Sequence, residues 1–448
     1  MKRKWKGVFW GCMGVVFLAV GICFLTKLTA PRNGYDKYKE FVDESDMYDV
    51  LFFGNSHMAN AVYPMELWHN YGVASYNRAC FGAPLPVTYW VMMDALDYAQ
   101  PDMVVVDCYS IGKEEKAGAD GMMHAAMDGM PLNRRKIRMI QDLLDDPKDR
   151  LEYYWNFAVY HDRWWDLDQE DFERRDNLQK GAQIAFEVVS PQEMAPKPAE
   201  LVETEKVGAV YLRQIIEECQ KRDIDILLTY LPFPATEDAW QEALLAEQIA
   251  GEYGVPYINF LDKQVVDLET DCSDKDSHLN GSGGRKVTEY IGEYIGKHYV
   301  IADHRGEEMY AGWDEDYRCY MDYKFENMKH METLEKYLAM LADPAFSCCI
   351  YVDGNAAIWQ QNERYLPLFD NVADGRTEKL EEAAASGKDY FLVVDNGTGK
   401  VQEGIGGERL FAVEEKGGAD VQITVMNRQD GRILDEKSFG NGLKLYTE

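Results

Sequence analysis

The chain contains no Cys-x-x-Cys pair and no cysteine or histidine spacing of the kind that grips a metal. Its nine cysteines, at positions 12, 23, 80, 108, 219, 272, 319, 348 and 349, are odd in number, and two fall in the leading apolar segment. That excludes a disulfide framework and reads as mostly free, buried thiols. Cys348 and Cys349, adjacent in an expected strand, read as packing residues. Positive charge is the second shortage: 47 Lys and Arg stand against 78 Asp and Glu, for a net charge of -31. A phosphate backbone would be repelled, so nucleic acid is excluded as a partner. Disorder is excluded as well, because 46% of the residues are hydrophobic and 12% aromatic. A length of 448 residues leaves room for two domains.

One long apolar run is present. Lys2, Arg3, Lys4 and Lys6 precede Gly7 to Thr26, and no charge follows until Lys27; about twenty such residues are what a helix needs to cross a bilayer. Basic residues ahead of the run keep that end in the cytoplasm and place the rest outside. A cleaved signal peptide is the competing reading, but the run is long for one and no small-x-small site follows before Pro31. Both readings export the body. The expectation is a single-pass cell-membrane protein, with 1-29 as cytoplasmic tip and anchor and the lipid bilayer as its first partner.

A polar spacer, Pro31 to Asp46, leads into alternating strands and helices. Val50 to Phe53, Ala74 to Tyr76, Met103 to Asp107, Ile224 to Tyr230 and Pro256 to Phe260 read as strands. Pro64 to Trp68, Val87 to Tyr98, Val210 to Arg222, Glu237 to Tyr253 and Val287 to Tyr299 read as helices. This alternation predicts an α/β domain over 30-303 with a parallel sheet between helices. A charged, aromatic insertion at about 111-206 interrupts it, with helices at Leu132 to Leu144 and Arg150 to Val159. Insertions of this kind form lids or substrate walls. His161 and Arg163 are therefore candidate contacts for an anionic or sugar-like ligand; Trp164 and Trp165 read as packing the insertion on the core. Residues 304-448 read as a small α+β domain: a helix from Phe325 to Leu341, a strand from Ser347 to Val352, and two hairpins turning at Asn396-Gly397 and Asp430-Gly431.

The chemistry-bearing stretches are Asp49-Val50-Leu51-Phe52-Phe53-Gly54-Asn55-Ser56-His57 and Asp274-Lys275-Asp276-Ser277-His278-Leu279-Asn280. The first presents a serine at the carboxyl end of a strand, where open α/β sheets bind ligands. A serine alcohol needs a base, and a histidine held by a carboxylate supplies one. Ser56 could instead cap the following helix. His57, next in sequence to Ser56, points elsewhere and is expected to line the pocket or bond the turn.

These two stretches resemble the SGNH/GDSL hydrolase superfamily over roughly residues 45 to 300, and within it the membrane-anchored branch of the D-alanine transfer protein of teichoic-acid modification and the alginate acetylation proteins. The resemblance implies a flavodoxin-like three-layer fold and a catalytic Ser56 and His278. It also implies an oxyanion hole from the backbone amides of Ser56 and Gly82; Asn77 and Tyr109, at the carboxyl ends of their strands, are candidate substrate contacts. The chain departs from the pattern twice. The third block reads Asp107-Cys108-Tyr109-Ser110, without asparagine, and the acid's usual place is Lys275. Asp274 and Asp276 flank it, and Asp276, nearer in sequence, is preferred. The expectation is a serine-dependent O-acyltransferase or carbohydrate esterase working on a cell-surface glycopolymer beside a membrane acyl-export protein. It uses no cofactor and no metal; a zinc site from His57, Asp107 and His278 lacks a further nitrogen or sulfur ligand. The alternative is a non-catalytic surface assembly or polymer-binding protein on the same fold.

Overall fold

In the computed structural model the described residues are 2-29, 32-172, 179-202, 206-413 and 419-440. Parts of the insertion (173-178, 203-205) and of the carboxyl-terminal region (414-418, 441-448) lie outside them. Five strands, β1 (Val50–Phe53), β2 (Ser75–Asn77), β3 (Met103–Asp107), β4 (Asp225–Tyr230) and β5 (Tyr257–Asn259), pair in the order β2-β1-β3-β4-β5, all parallel. This is a doubly wound order whose direction reverses between β1 and β3, and ligands in such sheets bind at that switch point. The strands are continuous apolar runs because both faces are covered. Leu51, Phe53, Val104, Val106 and Leu228 enter one core, and Val50, Phe52, Met103, Val105 and Leu227 enter another. Helices Leu85–Ala95, Val207–Lys221 and Glu237–Tyr253 close the first face, and Gly281–His298 closes the second through Val287, Ile291 and Ile295. Each fully buried aliphatic side chain contributes about 1.5–3 kcal/mol to this sandwich.

The chain opens with a helix, Lys2–Thr29, that is long and apolar enough over Phe9–Thr26 to cross a bilayer. The expected spacer is instead a second helix, Arg32–Asp43. Tyr38 and Phe41, three residues apart, give it one apolar edge; Phe41 stacks on Tyr48 and meets Tyr76 edge-on. Within the insertion the described α-helices are Asp120–Met127, Arg134–Leu143, Asp149–Tyr154 and Phe157–Tyr160. Trp164 and Trp165 do not pack the insertion on the core: they are 49% and 76% exposed and lie against each other.

The second sheet is antiparallel throughout, in the order β10-β9-β6-β7-β8, with β6 at Phe346–Val352, β7 at Tyr390–Asp395, β8 at Lys400–Ile405, β9 at Ala419–Asn427 and β10 at Ile433–Gly440. It has its own core, where Ile350, Leu392 and Val425 meet Tyr337, Leu338 and Leu368. The expected helix from Phe325 to Leu341 is two helices, Ala311–Lys329 and Leu334–Leu341. In the β7–β8 turn the left-handed residue is Gly399, with φ of 70°, rather than Gly397.

Candidate active site

β1 ends at Phe53, and Gly54 brings its end close to that of β3. A Cβ on Gly54 would fall 2.9 Å from Met58 Cβ and 3.0 Å from Asp107 Cβ, so any side chain there would pry the strand ends apart. Asn55 then caps the short helix Ser56–Ala61, its Oδ1 accepting from the His57 amide at 2.9 Å. The capping role considered for Ser56 thus belongs to its neighbour, and the Ser56 hydroxyl is left to other work. It lies 2.7 Å from His278 Nε2.

His278 is placed by the turn in front of the Gly281–His298 helix. Asn280 caps that helix, its Oδ1 accepting from the amides of Ser282 and Gly283. Its Nδ2 donates to the Thr270 carbonyl at 2.8 Å. The other ring nitrogen of His278, Nδ1, pairs with Asp274 Oδ2. Asp274 Oδ1 in turn accepts from the amides of Asp276, Ser277 and His278. Burial works against ionisation of Asp274, but these amides and the imidazole outweigh it and hold its pKa down at about 2. The preference for Asp276 is therefore corrected. Asp276 is exposed, and the turn is wound about the Asp274 carboxylate, which occupies the ring nitrogen. A side chain two residues before an imidazole in such a turn points away from it, while one four residues before returns beneath it.

The pocket wall is aromatic. His57 is buried, stacked on Tyr109 with centroids 4.0 Å apart, met edge-on by Phe233 at 4.7 Å, and 5.6 Å from the His278 ring. Burial, then the neighbouring imidazole, push its pKa down to about 3. Neutral at ordinary pH, with Nδ1 buried and unbonded, His57 is no proton carrier for Ser56. Phe233 was not anticipated; the Tyr230-Leu231-Pro232 turn just before it was the available signal. Behind the wall, Asp107 Oδ1 accepts from the Leu231 amide at 3.2 Å while Oδ2 is buried without a partner, and burial raises its pKa to about 7. Asn55, also unanticipated, extends Nδ2 toward Ser110 Oγ at 3.4 Å, at the block where the sequence lacks the expected asparagine.

Other expected contacts lie elsewhere. Asn77 is buried at the end of β2, where Nδ2 donates to the carbonyls of Met58 and Val62, both at 2.9 Å, and Oδ1 accepts from the Ala79 amide. It secures the end of the serine's helix and has no atom left for substrate. Arg163 reaches the Thr29 carbonyl and Asp171, and His161 bonds to the Ala158 carbonyl and pairs with Asp162. Both are committed to the insertion and the end of the apolar helix, which removes them from the substrate wall. Gly82 takes a left-handed φ of 64°, and a Cβ there would fall 3.1 Å from Met122 Cγ. Among the described residues no three His, Cys, Asp or Glu side chains group as metal ligands.

No family model matches the chain, and no curated protein matches it. Among solved structures it is similar to one from Bacteroides fragilis NCTC 9343, provisionally named an acylhydrolase. That likeness has 14% identity and a TM-score of 0.31, over 58% of this chain and 94% of the other.

Proposed function

We propose that the protein is a membrane-anchored, extracytoplasmic enzyme of the SGNH type, a serine-dependent O-acyltransferase or esterase acting on a cell-surface glycopolymer. The observation that carries this reading is the unbroken line from Asp274 through His278 to Ser56 Oγ, with the last step at 2.7 Å. In the first half-reaction Ser56 Oγ attacks the acyl carbonyl as His278 Nε2 takes its proton, and Asp274 steadies the imidazolium. The tetrahedral oxyanion is met by the Ser56 and Gly82 amides, assisted by Asn55 Nδ2. Collapse expels the donor's oxygen, which takes the proton from His278 and leaves an acyl-Ser56 ester. In the second half an acceptor hydroxyl gives its proton to His278 and attacks that ester, and the ester bond to Ser56 Oγ breaks as that oxygen takes the proton back from His278. A sugar hydroxyl gives transfer and water gives hydrolysis.

A fluorophosphonate probe tests this directly. Wild type in detergent is expected to label, and Ser56→Ala, checked for an unchanged circular dichroism spectrum, is expected to stay blank. Well-folded wild type that refuses the probe would instead favour a non-catalytic polymer-binding role.

A further inference from the structure

Between the helix Arg32–Asp43 and the loop leaving β2 lies a cavity of about 60 Å³ whose lining includes Gly34, Lys37, Tyr38, Arg78, Cys80 and Gly129. In a chain of net charge -31 this cavity has two cations on its wall and no carboxylate. Lys37 and Arg78 form no ion pair among the described residues, and Arg78 Nε is buried without a hydrogen bond. The guanidinium lies over the rings of Tyr38 and Phe41, at 5.4 and 4.7 Å, which cushion its charge without taking its N–H groups. Glu40 attracts Lys37 and Asp94 attracts Arg78, but neither carboxylate closes on its cation as an ion pair. Glu40 accepts from Tyr76 Oη at 3.1 Å and faces Lys180 at 3.7 Å, and neither buried oxygen of Asp94 has a hydrogen-bond partner. Burial lowers the pKa of Lys37, and the attraction of Glu40 does not make up for it.

We propose that this cavity is a binding site for a phosphate group. One water needs about 10–15 Å³ of such space, so the cavity admits about four oxygen-sized atoms, the number in one phosphate. A guanidinium and an ammonium offer a fork and a point charge to a multi-oxygen anion, the pairing that makes strong charge-assisted bonds. Position adds a second argument. The Arg78 amide bonds to the Phe52 carbonyl and the Cys80 amide to the Gly54 carbonyl, so the phosphate would sit on the same edge of the sheet as Ser56. Gly34 also follows closely on Thr29, where the apolar helix ends. The phosphate can come from a lipid headgroup at the bilayer surface or from a phosphate-bearing soluble molecule; the recognition chemistry is shared. This site does not depend on the acyl chemistry proposed for Ser56.

The test is titration of the full chain in dodecyl maltoside micelles, which carry no phosphate, with inorganic phosphate, read by thermal unfolding and by ³¹P line broadening. Wild type is expected to show a saturable rise in Tm, since ligand binding to the folded state stabilises it. Lys37→Met is expected to weaken binding by about tenfold or more, the value of a charged hydrogen bond, with Tm in phosphate-free buffer unchanged. Lys37→Arg is expected to restore binding, and Ser56→Ala to bind as wild type does, which separates this proposal from the enzymatic one. No saturable response in wild type, or equal binding by Lys37→Met, would overturn it. Repeating the titration in nanodiscs containing phosphatidic acid assigns the source. Loss of the response means the headgroup already fills the cavity, and a retained response means a soluble phosphate compound is the ligand.

Discussion

At the scale of single residues, the decisive pairing is Asp274 with His278, because an imidazole that must take a proton at Nε2 has to carry its own proton on Nδ1. Asp274→Asn replaces a fixed anion with a dipole that can hold the wrong tautomer, and is expected to lower kcat by about 10²- to 10⁴-fold. Asp276→Asn, on the exposed side of the same turn, is expected to stay within about twofold, as surface changes usually do. Hydrolysis of 4-nitrophenyl acetate by both variants decides it, and the reverse order would restore Asp276. The two blocks in the sequence pointed to Ser56 and His278, which the fold brings together, but could not choose between the acids. The choice rests on which residue gathers three amides around its carboxylate, a property of the turn and not of the spacing. Asp107 gives a second prediction. Its folded pKa of about 7 lies above the usual value for an unfolded aspartate, about 3.9. The folded state therefore binds the proton more tightly, and the stability this contributes is complete below about pH 4 and lost as pH rises toward 7. In urea unfolding between pH 5 and 8, wild type is expected to lose more stability than Asp107→Asn; parallel pH profiles would refute the assignment.

At the scale of elements, the helices that carry the serine and follow the histidine are held together at glycine. A Cβ on Gly284 would fall 2.3 Å from Tyr63 Oη and 2.5 Å from the Asn60 carbonyl, so the Gly281–His298 helix can approach the Ser56–Ala61 helix only because that side chain is missing. Nearby, Thr288 Oγ1 accepts from the Tyr63 amide at 2.9 Å while donating to the Gly284 carbonyl of its own helix at 2.7 Å. Gly284→Ala is expected to cost about 1–3 kcal/mol by overpacking. Since displacements near 1 Å are enough, it is also expected to cost up to about 10²-fold in activity as His278 is moved off Ser56. Gly296→Ala on the same helix meets nothing within 4 Å, and should be neutral or raise stability by up to about 1 kcal/mol. Denaturant unfolding and an esterase assay on both variants check the pair. The glycine run after His278 was legible as a tight turn; its contact with Tyr63, more than two hundred residues away, was not. The helix Arg32–Asp43 was missed for a related reason: its polar composition hides Phe41, whose partners, Tyr48 and Tyr76, come later in the chain.

For the whole molecule, the alternating strands and helices of the parallel sheet and the small α+β unit follow from runs visible in the sequence, while the strand order comes from the fold. The junction between the two sheets does not follow from such runs, because it is made by charges scattered along the chain. Lys324, in the helix Ala311–Lys329, is fully enclosed and donates to Glu66 at 2.9 Å and to Asp343. Tyr320 Oη adds a bond to Glu66 at 3.0 Å. Glu66 belongs to the helix Pro64–Tyr71 on the parallel sheet, and Asp343 lies three residues before β6 of the antiparallel one. Burial disfavours the charged lysine, but the two carboxylates outweigh it and raise its pKa. A second tie of the same kind joins Lys286 to Asp271 and to Asn371 at 2.7 and 2.8 Å. Such a triad is weak evidence of net stabilisation, since its desolvation cost can match its attraction, but breaking it strands charge in the interior. Lys324→Met keeps the stem's packing and removes the ammonium, leaving two buried carboxylates facing each other. The expected loss is about 3–5 kcal/mol, largest at neutral pH and smaller in acid, where one carboxylate can take up a proton. Replacing Glu66 and Asp343 by Gln and Asn in the Lys324→Met background removes the stranded charges and should recover part of that loss. Denaturant titration of the single and triple variants at pH 5 and 7.5 measures both effects. A Lys324→Met protein as stable as wild type at pH 7.5 would show that the sheets are held by their apolar contacts alone.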